Sequence, residues 1–337
     1  MRICLLGEYS GNLDEGIRKI SYNLAKELSK HHLVLTLDLR SVFRRAFWTN
    51  IKKFNPQIIH YIPGGSPRCF MLLMLISRRC PNAKTIVSVM RFNPFSKHIL
   101  SLFKPDIVLA QSYEVEGEFK KLGCRTEFLP IGGVDLEKYA PVSITVKNKL
   151  REKYAIDKDK FVILHVGSIK SGRNVQLLKN FQEGGDQVVI IGSTSTGIDK
   201  KVYRQLKESG CLVLIEYFKQ IEEIYTLSDC YVFPVVLKRD FLGRPTADCI
   251  DIPLSVLEAM SCNIPVIATK FGALPRIFKE GDGLFFAERE EDFINALNEI
   301  RNGVNVKTRE KVKFYSWKNI RQKLEEIYSS LIYDEKK

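Results

Sequence analysis

The sequence predicts an α/β protein made of two Rossmann-like, doubly wound parallel-sheet domains. Short apolar runs alternate with amphipathic helical stretches along the whole chain, as they do in repeated βαβ units. The chain has 337 residues, which is too long for one ordinary core and fits two domains. Its hydrophobic content of 45% and charged content of 27% are typical of a globular protein.

The first domain is predicted from six apolar runs. It opens with a strand at residues 2–6, a polar loop that ends at Gly16, and a helix at 17–28 with apolar residues at helical spacing. Parallel strands end at one edge of a sheet, and ligands bind there. The other predicted strands are 33–39, 58–62, 85–89, 107–110 and 126–129.

The second domain is predicted to start with the strongly apolar strand at 161–166 and to repeat the same alternation. Its predicted strands include 212–215, 230–234 and 265–268, and its predicted helices include 221–227, 253–260 and 291–300. A final amphipathic helix is predicted at 315–332.

Residues 248–278, DCIDIPLSVLEAMSCNIPVIATKFGALPRIF, carry the candidate ligand site. Pro253 suits a first helical turn, where the Ser255 hydroxyl can bond unpaired amides. The turn after the next strand leads into another helix, whose N–H groups and positive dipole end favour a phosphate. Glu258 can accept hydrogen bonds from two ribose hydroxyls. Alternatively, it is a first-turn residue that only complements the helix dipole.

The segment PLSVLEAMSCNIPVIAT followed by FGALP resembles the donor-site signature of the retaining GT-B glycosyltransferases, in particular glycosyltransferase family 4. The resemblance implies two domains that face each other across a cleft. It implies that Glu258, with the neighbouring Leu257, binds the donor and its ribose. It also implies that the amides of Gly272, Ala273 and Leu274 hold the donor diphosphate.

A second loop, GSIKSGRN at residues 167–174, resembles the family's diphosphate loop. The family has an Arg directly after the Gly and a Lys a few residues on. Here Ser168 follows Gly167, and Arg173 falls on the Lys position. Backbone amides and a guanidinium would stabilise the leaving nucleoside diphosphate without a metal. Lys170 either compensates for the missing Arg or is a surface lysine.

Further resemblances set the expected domain boundaries. Residues 129–141, LPIGGVDLEKYAP, resemble the family's interdomain segment, and the last helix resembles the one that crosses back onto the N-terminal domain. We therefore expect an acceptor-side domain at 1–142, a nucleotide-sugar domain at 143–312 and a terminal helix at 313–337. The loop ending at Gly16 resembles the first glycine-rich loop of the family, although a plain strand-to-helix turn would look the same.

The sequence departs from the family pattern at three places, one of which is Arg276, where a Glu is usual. Eight positions before Glu258, where a sugar-contacting Glu is common, stands Ile250. Asp251 or Asp248 would take over the sugar contact if the loop shifts. A His near the anomeric centre is also common, but Met90 or Arg91 occupies that position. A non-catalytic nucleotide-sugar-binding or scaffold relative is therefore an open alternative.

The net charge of +13 is concentrated in residues 1–140, which carry 21 Lys and Arg against 12 Asp and Glu. Starting at Ser41, SVFRRAFWTNIKKF places Phe43, Phe47, Ile51 and Phe54 on one helical face between cations. One hypothesis is that this helix docks on an anionic membrane surface. The alternative is an ordinary helix that packs on its own sheet with a solvated basic face.

These observations lead to an expected function. We expect a retaining glycosyltransferase that moves a sugar from a nucleoside diphosphate sugar to a glycan or lipid-linked acceptor, without a metal or cofactor. Eight scattered Cys and the lack of a signal peptide's apolar core favour reduced thiols in a cytoplasmic protein, peripheral at the inner membrane face if the helix at 41–54 docks there. The run CFMLLMLI at 69–76 is too short to span a bilayer and is expected to be a buried helix. Nucleic acid is not an expected partner, because no aromatic platform accompanies the charge.

Overall fold

Strands and helices alternate along the residues that the computed structural model describes, which are 1–182, 185–236 and 251–333. The chain divides into two units. The first comprises Met1–Gly132 and Trp317–Lys337, and the second comprises Gly133–Ser316. Each unit has its own sheet and its own hydrophobic core.

The strands pair in parallel within each sheet. They are β1 (Arg2–Gly7), β2 (Leu33–Asp38), β3 (Ile58–Gly64), β4 (Lys84–Val89), β5 (Ile107–Ala110), β6 (Thr126–Phe128), β7 (Phe161–Gly167), β8 (Asp186–Gly192), β9 (Leu212–Leu214), β10 (Cys230–Phe233), β11 (Val266–Ala268) and β12 (Leu284–Phe286).

The helices separate consecutive strands, and short 3-10 turns accompany some of them. They are α1 (Gly16–Leu28), α2 (Arg45–Phe54), α3 (Pro67–Ser77), α4 (Ser96–Leu100), α5 (Tyr113–Lys121), α6 (Ile144–Lys153), α7 (Lys200–Glu208), α8 (Ile221–Leu227), α9 (Leu254–Ser261), α10 (Leu274–Ile277), α11 (Glu290–Arg301), α12 (Thr308–Val312) and α13 (Trp317–Tyr333).

In the described residues, the sheet of the first unit has six strands in the order β2-β1-β3-β4-β5-β6. Its central strands are covered on both faces, which explains why β1 is a continuous apolar run. Helix α13 packs against α1 in this unit. His32 and Glu325 lie beside that contact, with 2.9 Å between Nε2 and Oε1.

The described part of the second unit also has a six-stranded sheet, in the order β12-β11-β10-β7-β8-β9. Strand β7, the first of this unit, lies next to β10, so the winding direction reverses between these two strands. Asp229 ties them together, because it accepts a hydrogen bond of 2.7 Å from the Val162 amide and its own amide bonds the Val162 carbonyl at 2.9 Å. The reversal places a ligand-binding crevice at the carboxyl ends of β7 and β10. The predicted α/β class and doubly wound sheets are confirmed.

The segment at 41–54 differs from its predicted form. Helix α2 begins at Arg45, so Phe43 lies before the helix and is 99% exposed. Phe47 and Ile51 are buried in the core of the first unit. The helix therefore packs on its own unit with its cations in solvent, which is the alternative interpretation. The prediction that Phe43 shares one helical face with Phe47 and Ile51 is wrong, because the helix begins only at Arg45.

Helix α3 contains the predicted apolar run and is buried as expected. Ser66 caps it by accepting a hydrogen bond from the Cys69 amide, Pro67 occupies its first turn, and Phe70 and Leu73 are fully buried. No helix in the described residues is both long and apolar enough to cross a membrane. The seven described cysteines are free and buried, as predicted; they are Cys4, Cys69, Cys80, Cys124, Cys211, Cys230 and Cys262.

Candidate functional site

The candidate site lies at the carboxyl ends of β7 and β10, where the second sheet changes winding direction. Strand β7 continues into the loop that carries Gly167, Ser168, Lys170 and Arg173. Residues 237–250, which follow β10, lie outside the described residues, and the chain is described again from Asp251. The next element is α9, which carries Leu257 and Glu258.

The first part of the loop after β7 is held by two hydrogen bonds. The Thr196 hydroxyl donates to Ser168 Oγ at 2.9 Å, and the Asp199 amide donates to the Ile169 carbonyl at 2.8 Å. Lys170 and Arg173 are both half-buried, and a 3-10 turn links them. The loop is therefore fixed against β8 and α7 and presents two cations near the strand ends.

Tyr231 on β10 joins this loop to α9. Its hydroxyl lies 2.7 Å from Ser255 Oγ and 3.4 Å from the Val166 carbonyl at the end of β7. Ser255 was predicted to cap α9, but no side chain of the described residues caps this helix. That prediction is wrong, because the Ser255 hydroxyl bonds to Tyr231.

Glu258 is 3% exposed in the middle of α9. Tyr225 donates to its Oε2 at 2.9 Å, and the Tyr139 hydroxyl also bonds its side chain. Burial first, and the nearby Glu258 charge second, raise the pKa of both tyrosines well above its usual range. The alternative that Glu258 complements the helix dipole from the first turn is wrong, because it is the fifth residue of α9.

The turn after β11 is packed against Asp251. Gly272 has φ of +55°, and a Cβ on it would lie 2.1 Å from the Asp251 carbonyl oxygen, so only glycine fits there. The Ala273 amide donates to that carbonyl at 2.8 Å, and the Leu274 amide donates to the Phe271 carbonyl at 3.0 Å. Two of the three amides predicted to hold a diphosphate are thus used within the protein. Within the described residues, the Gly272 N–H has no partner.

Several residues that were predicted to contact the donor lie in different surroundings from those expected, or outside the described residues. Helix α10, predicted to offer a positive dipole end, has only four residues. Leu257 is fully buried, so its side chain is part of the core. Gly16 is the first residue of α1 in the first unit, after a loop that Asp38 holds through the Tyr9 amide and the Ser10 hydroxyl. Ile250 and Asp248 lie outside the described residues.

His165, which was not among the predicted site residues, lies near the same strand ends. It is 1% exposed, stacks on Tyr231 with 6.3 Å between ring centroids, and bonds the Val232 carbonyl through Nδ1 at 2.9 Å. Burial lowers its pKa to about 4. The signal in the sequence is a polar residue within the apolar strand FVILHVG, two positions before Gly167.

The described residues hold no group of three His, Cys, Asp or Glu side chains suited to a metal ion. The described site contains cations and backbone amides in the loop after β7 and, on α9, a buried carboxylate bonded to tyrosines. Cations and amides at the carboxyl ends of parallel strands can bind an anionic group such as a phosphate.

The doubly wound units and this site define the class of protein: a two-domain enzyme of the GT-B type. The family model described as "Glycosyl transferases group 1" matches residues 146–318, which is just over half of the chain. The chain belongs to this family and is a glycosyltransferase. No curated protein matches it in sequence.

Solved structures support the fold assignment. HepE from Anabaena aligns over 98% of this chain and 100% of its own, with 16% identity and a TM-score of 0.75. Sucrose-phosphate synthase from Thermosynechococcus elongatus aligns over 98% of both chains, with 15% identity and a TM-score of 0.74. A glycosyltransferase from Rickettsia africae also covers 98% of both chains, with 16% identity and a TM-score of 0.74.

Proposed function

We propose that this protein transfers a sugar from a nucleoside diphosphate sugar to a glycan or lipid-linked acceptor, with retention and without a metal. One observation carries the proposal. Tyr231 contacts both the end of β7 and the start of α9, so the loop of Arg173 and the helix of Glu258 open on the same edge of one sheet. A nucleotide needs such a combination of cations for its phosphates and a carboxylate for its sugar.

The solved relatives suggest which donor to test first. Structures of HepE contain UDP, UDP-glucose, or UDP with glucose. HepE is 16% identical to this chain. We therefore take a uridine donor as the first one to test.

We assign residue roles within this proposal. Arg173 and Lys170 would contact the diphosphate, together with the Gly272 N–H and the backbone of Gly167 and Ser168. Glu258, oriented by Tyr225, would accept from the ribose hydroxyls after the buried carboxylate becomes accessible. Asp251 would contact the transferred sugar.

The proposed reaction needs no base from the protein. The glycosidic bond to the diphosphate breaks, the acceptor oxygen bonds to the anomeric carbon on the same face, and the acceptor proton goes to the leaving phosphate. The developing charge on the diphosphate is stabilised by fixed cations and amides, which is commonly the largest part of catalysis at such sites. Positioning of the two substrates supplies much of the remainder.

We place the acceptor on the first unit because that half of the chain carries most of the positive charge. Three exposed residues lie at the start of α2: Phe43, Arg44 and Arg45. The aromatic ring can insert into a membrane surface, and the two cations can pair with anionic lipid headgroups. The cytoplasmic, peripheral location stays part of the proposal. Co-sedimentation with phosphatidylglycerol vesicles should be strong for the wild type and weak after R44E and R45E. Equal co-sedimentation would remove the membrane from the proposal.

The donor site is tested by thermal unfolding against UDP, GDP, ADP, CMP and the matching nucleotide sugars. A ligand that binds only the folded state raises the midpoint as its concentration exceeds the dissociation constant. We expect a rise with one base, lost in Glu258→Ala and kept in Glu299→Ala, which removes an exposed carboxylate of α11. Each variant is compared with its own unliganded midpoint. If no nucleotide moves the wild-type midpoint, the proposed donor site is wrong.

Turnover is tested next with the donor that binds. Release of the nucleoside diphosphate in the presence of EDTA would support metal-independent transfer, and the anomeric coupling constant of the product would report retention or inversion. Donor binding with neither hydrolysis nor transfer would instead favour a non-catalytic relative, for which Ile250 in place of a Glu is the sequence argument.

A further inference from the structure

His165 is a fully buried histidine whose two ring nitrogens differ in their surroundings. Nδ1 lies 2.9 Å from the Val232 carbonyl oxygen, whereas Nε2 is buried without a hydrogen-bond partner in the described part of the chain. By contrast, the buried His60 of the first unit is bonded on both sides, to the Tyr328 hydroxyl and to Ser88 Oγ, each at 2.7 Å. Buried polar atoms are almost always paired, so the unpaired Nε2 calls for an explanation.

The hydrogen bond to Val232 determines the tautomer of His165. A carbonyl oxygen can only accept, so Nδ1 must carry the proton. Burial lowers the pKa of His165 to about 4, so the ring is neutral near pH 7 and Nε2 holds a lone pair. His165 therefore offers one acceptor and no donor at Nε2.

His165 Nε2 and the Arg173 guanidinium both lie close to Gly167, the last residue of β7. A Cβ on Gly167 would be 3.1 Å from Nε2 and 3.9 Å from Arg173 Nη1, so the imidazole and the guanidinium flank the same small space. A guanidinium has five N–H donors and no acceptor, which makes it complementary to Nε2. The diphosphate group of the proposed donor accepts hydrogen bonds and cannot supply this proton.

We propose that His165 is a positioning residue for Arg173: in the nucleotide-bound enzyme, Nε2 accepts an N–H from the Arg173 guanidinium and directs the remaining N–H groups to the diphosphate. This inference rests on the proposed function, because it assigns the diphosphate to Arg173. The stack of His165 on Tyr231 links this pair to Ser255 and α9.

The test uses three substitutions that remove different parts of the imidazole. His165→Asn keeps a donor for the Val232 carbonyl and removes the Nε2 acceptor. His165→Gln keeps an acceptor near the Nε2 position, and His165→Phe keeps only the ring. Loss of one hydrogen bond to a charged group weakens binding about tenfold or more. We expect that loss of UDP affinity in the Asn and Phe variants and partial rescue in the Gln variant.

Coupling to Arg173 separates positioning from a merely structural role. We expect His165→Asn with Arg173→Gln to bind UDP no more weakly than Arg173→Gln alone, because the histidine acts through the arginine. Independent effects on affinity would multiply. His60→Asn is the matched control: it should lower the unfolding midpoint and leave UDP affinity of the folded protein unchanged.

A second measurement does not depend on affinity. In ¹⁵N spectra of the imidazole, the His165 Nε2 resonance should shift when UDP is added to the wild type, and this shift should be absent in Arg173→Gln. If UDP binds but the resonance does not shift, or the two substitutions multiply, the inference is overturned while the proposed function stands. If no nucleotide of the panel binds the wild type, both fail together.

Discussion

Tyr225 donates a hydrogen bond of 2.9 Å to Glu258 Oε2 in the interior of the second unit. The bond joins α8 to α9, and the Tyr139 ring packs edge-on against Tyr225 at 5.7 Å. Because burial and the nearby carboxylate keep the pKa of Tyr225 far above neutrality, its hydroxyl stays protonated and can donate. The Glu258 carboxylate, which we propose binds the ribose, is therefore held in one orientation by Tyr225.

Replacement of Tyr225 by Phe should destabilise the second unit. It leaves a buried carboxylate with one hydrogen bond fewer, which costs about 1–3 kcal/mol. Urea unfolding measures this free energy, and UDP affinity should fall as well, since Glu258 loses its fixed orientation. Tyr217→Phe is the control, because Tyr217 is 44% exposed in the same unit and its loss should change neither quantity. Equal stability of Tyr225→Phe and wild type would show that this bond contributes nothing.

The strands and most helices follow from local pattern. Apolar runs become β1 and β5 because parallel strands are covered on both faces, and α8 begins at Ile221 and ends at Leu227 as predicted. The pattern also predicts helix α9 and strand β11, which form close to their expected bounds. These features depend on neighbours in sequence, so one sequence suffices to predict them.

The polar contacts of the site could not be predicted in the same way. Tyr231 meets Ser255 across 24 positions, and His165 meets the Val232 carbonyl across 67. Such pairs depend on strand order, which periodicity does not specify. The Ala273 amide was predicted to bind a ligand, but it bonds to Asp251 because the turn folds back on the chain.

Replacement of Gly272 by Ala should be among the most destabilising single changes in the second unit. A left-handed backbone costs an L-residue about 1–2 kcal/mol, and the new Cβ would overlap the Asp251 carbonyl oxygen at 2.1 Å. We expect a total loss of roughly 3 kcal/mol by urea unfolding. Gly281→Ala isolates the backbone contribution, because Gly281 has φ of +99° and a new Cβ there has no atom of the described chain within 4 Å. Similar losses in the two variants would contradict the predicted clash.

The free energy of unfolding should decrease as the pH is lowered, because His60 titrates. Burial lowers its pKa from 6.5 to about 3, so below pH 6.5 the unfolded chain binds a proton that the folded chain does not. The contribution is complete above pH 6.5 and is lost as pH falls toward 3, by about 1.4 kcal/mol per pH unit. The free energy of unfolding at pH 7 and pH 5 should therefore differ less in His60→Phe than in the wild type. An unchanged difference would exclude His60 as the titrating group.

Arg151 of α6 should contribute more to the free energy of unfolding than the exposed Lys153 of the same helix. Its side chain is 5% exposed, pairs with Asp229 and donates to the carbonyls of Leu227, Lys158 and Lys160. Arg151→Met leaves these acceptors without their donor, and removal of one partner of a buried pair costs about 3–5 kcal/mol. Lys147 also bonds Asp229, which places the expected loss at about 3 kcal/mol, the lower end of that range.

The matched control for Arg151 lies on the same helix. Lys153 pairs with Glu223 at the surface, with half of the lysine side chain exposed, and surface pairs contribute little because water and salt screen them. Lys153→Met should therefore unfold at the same urea concentration as the wild type, whereas Arg151→Met should unfold at a clearly lower one. If the two variants unfold together, Asp229 is held mainly by Lys147 and the Val162 amide, and the carbonyls that Arg151 bonds must find water when it is removed.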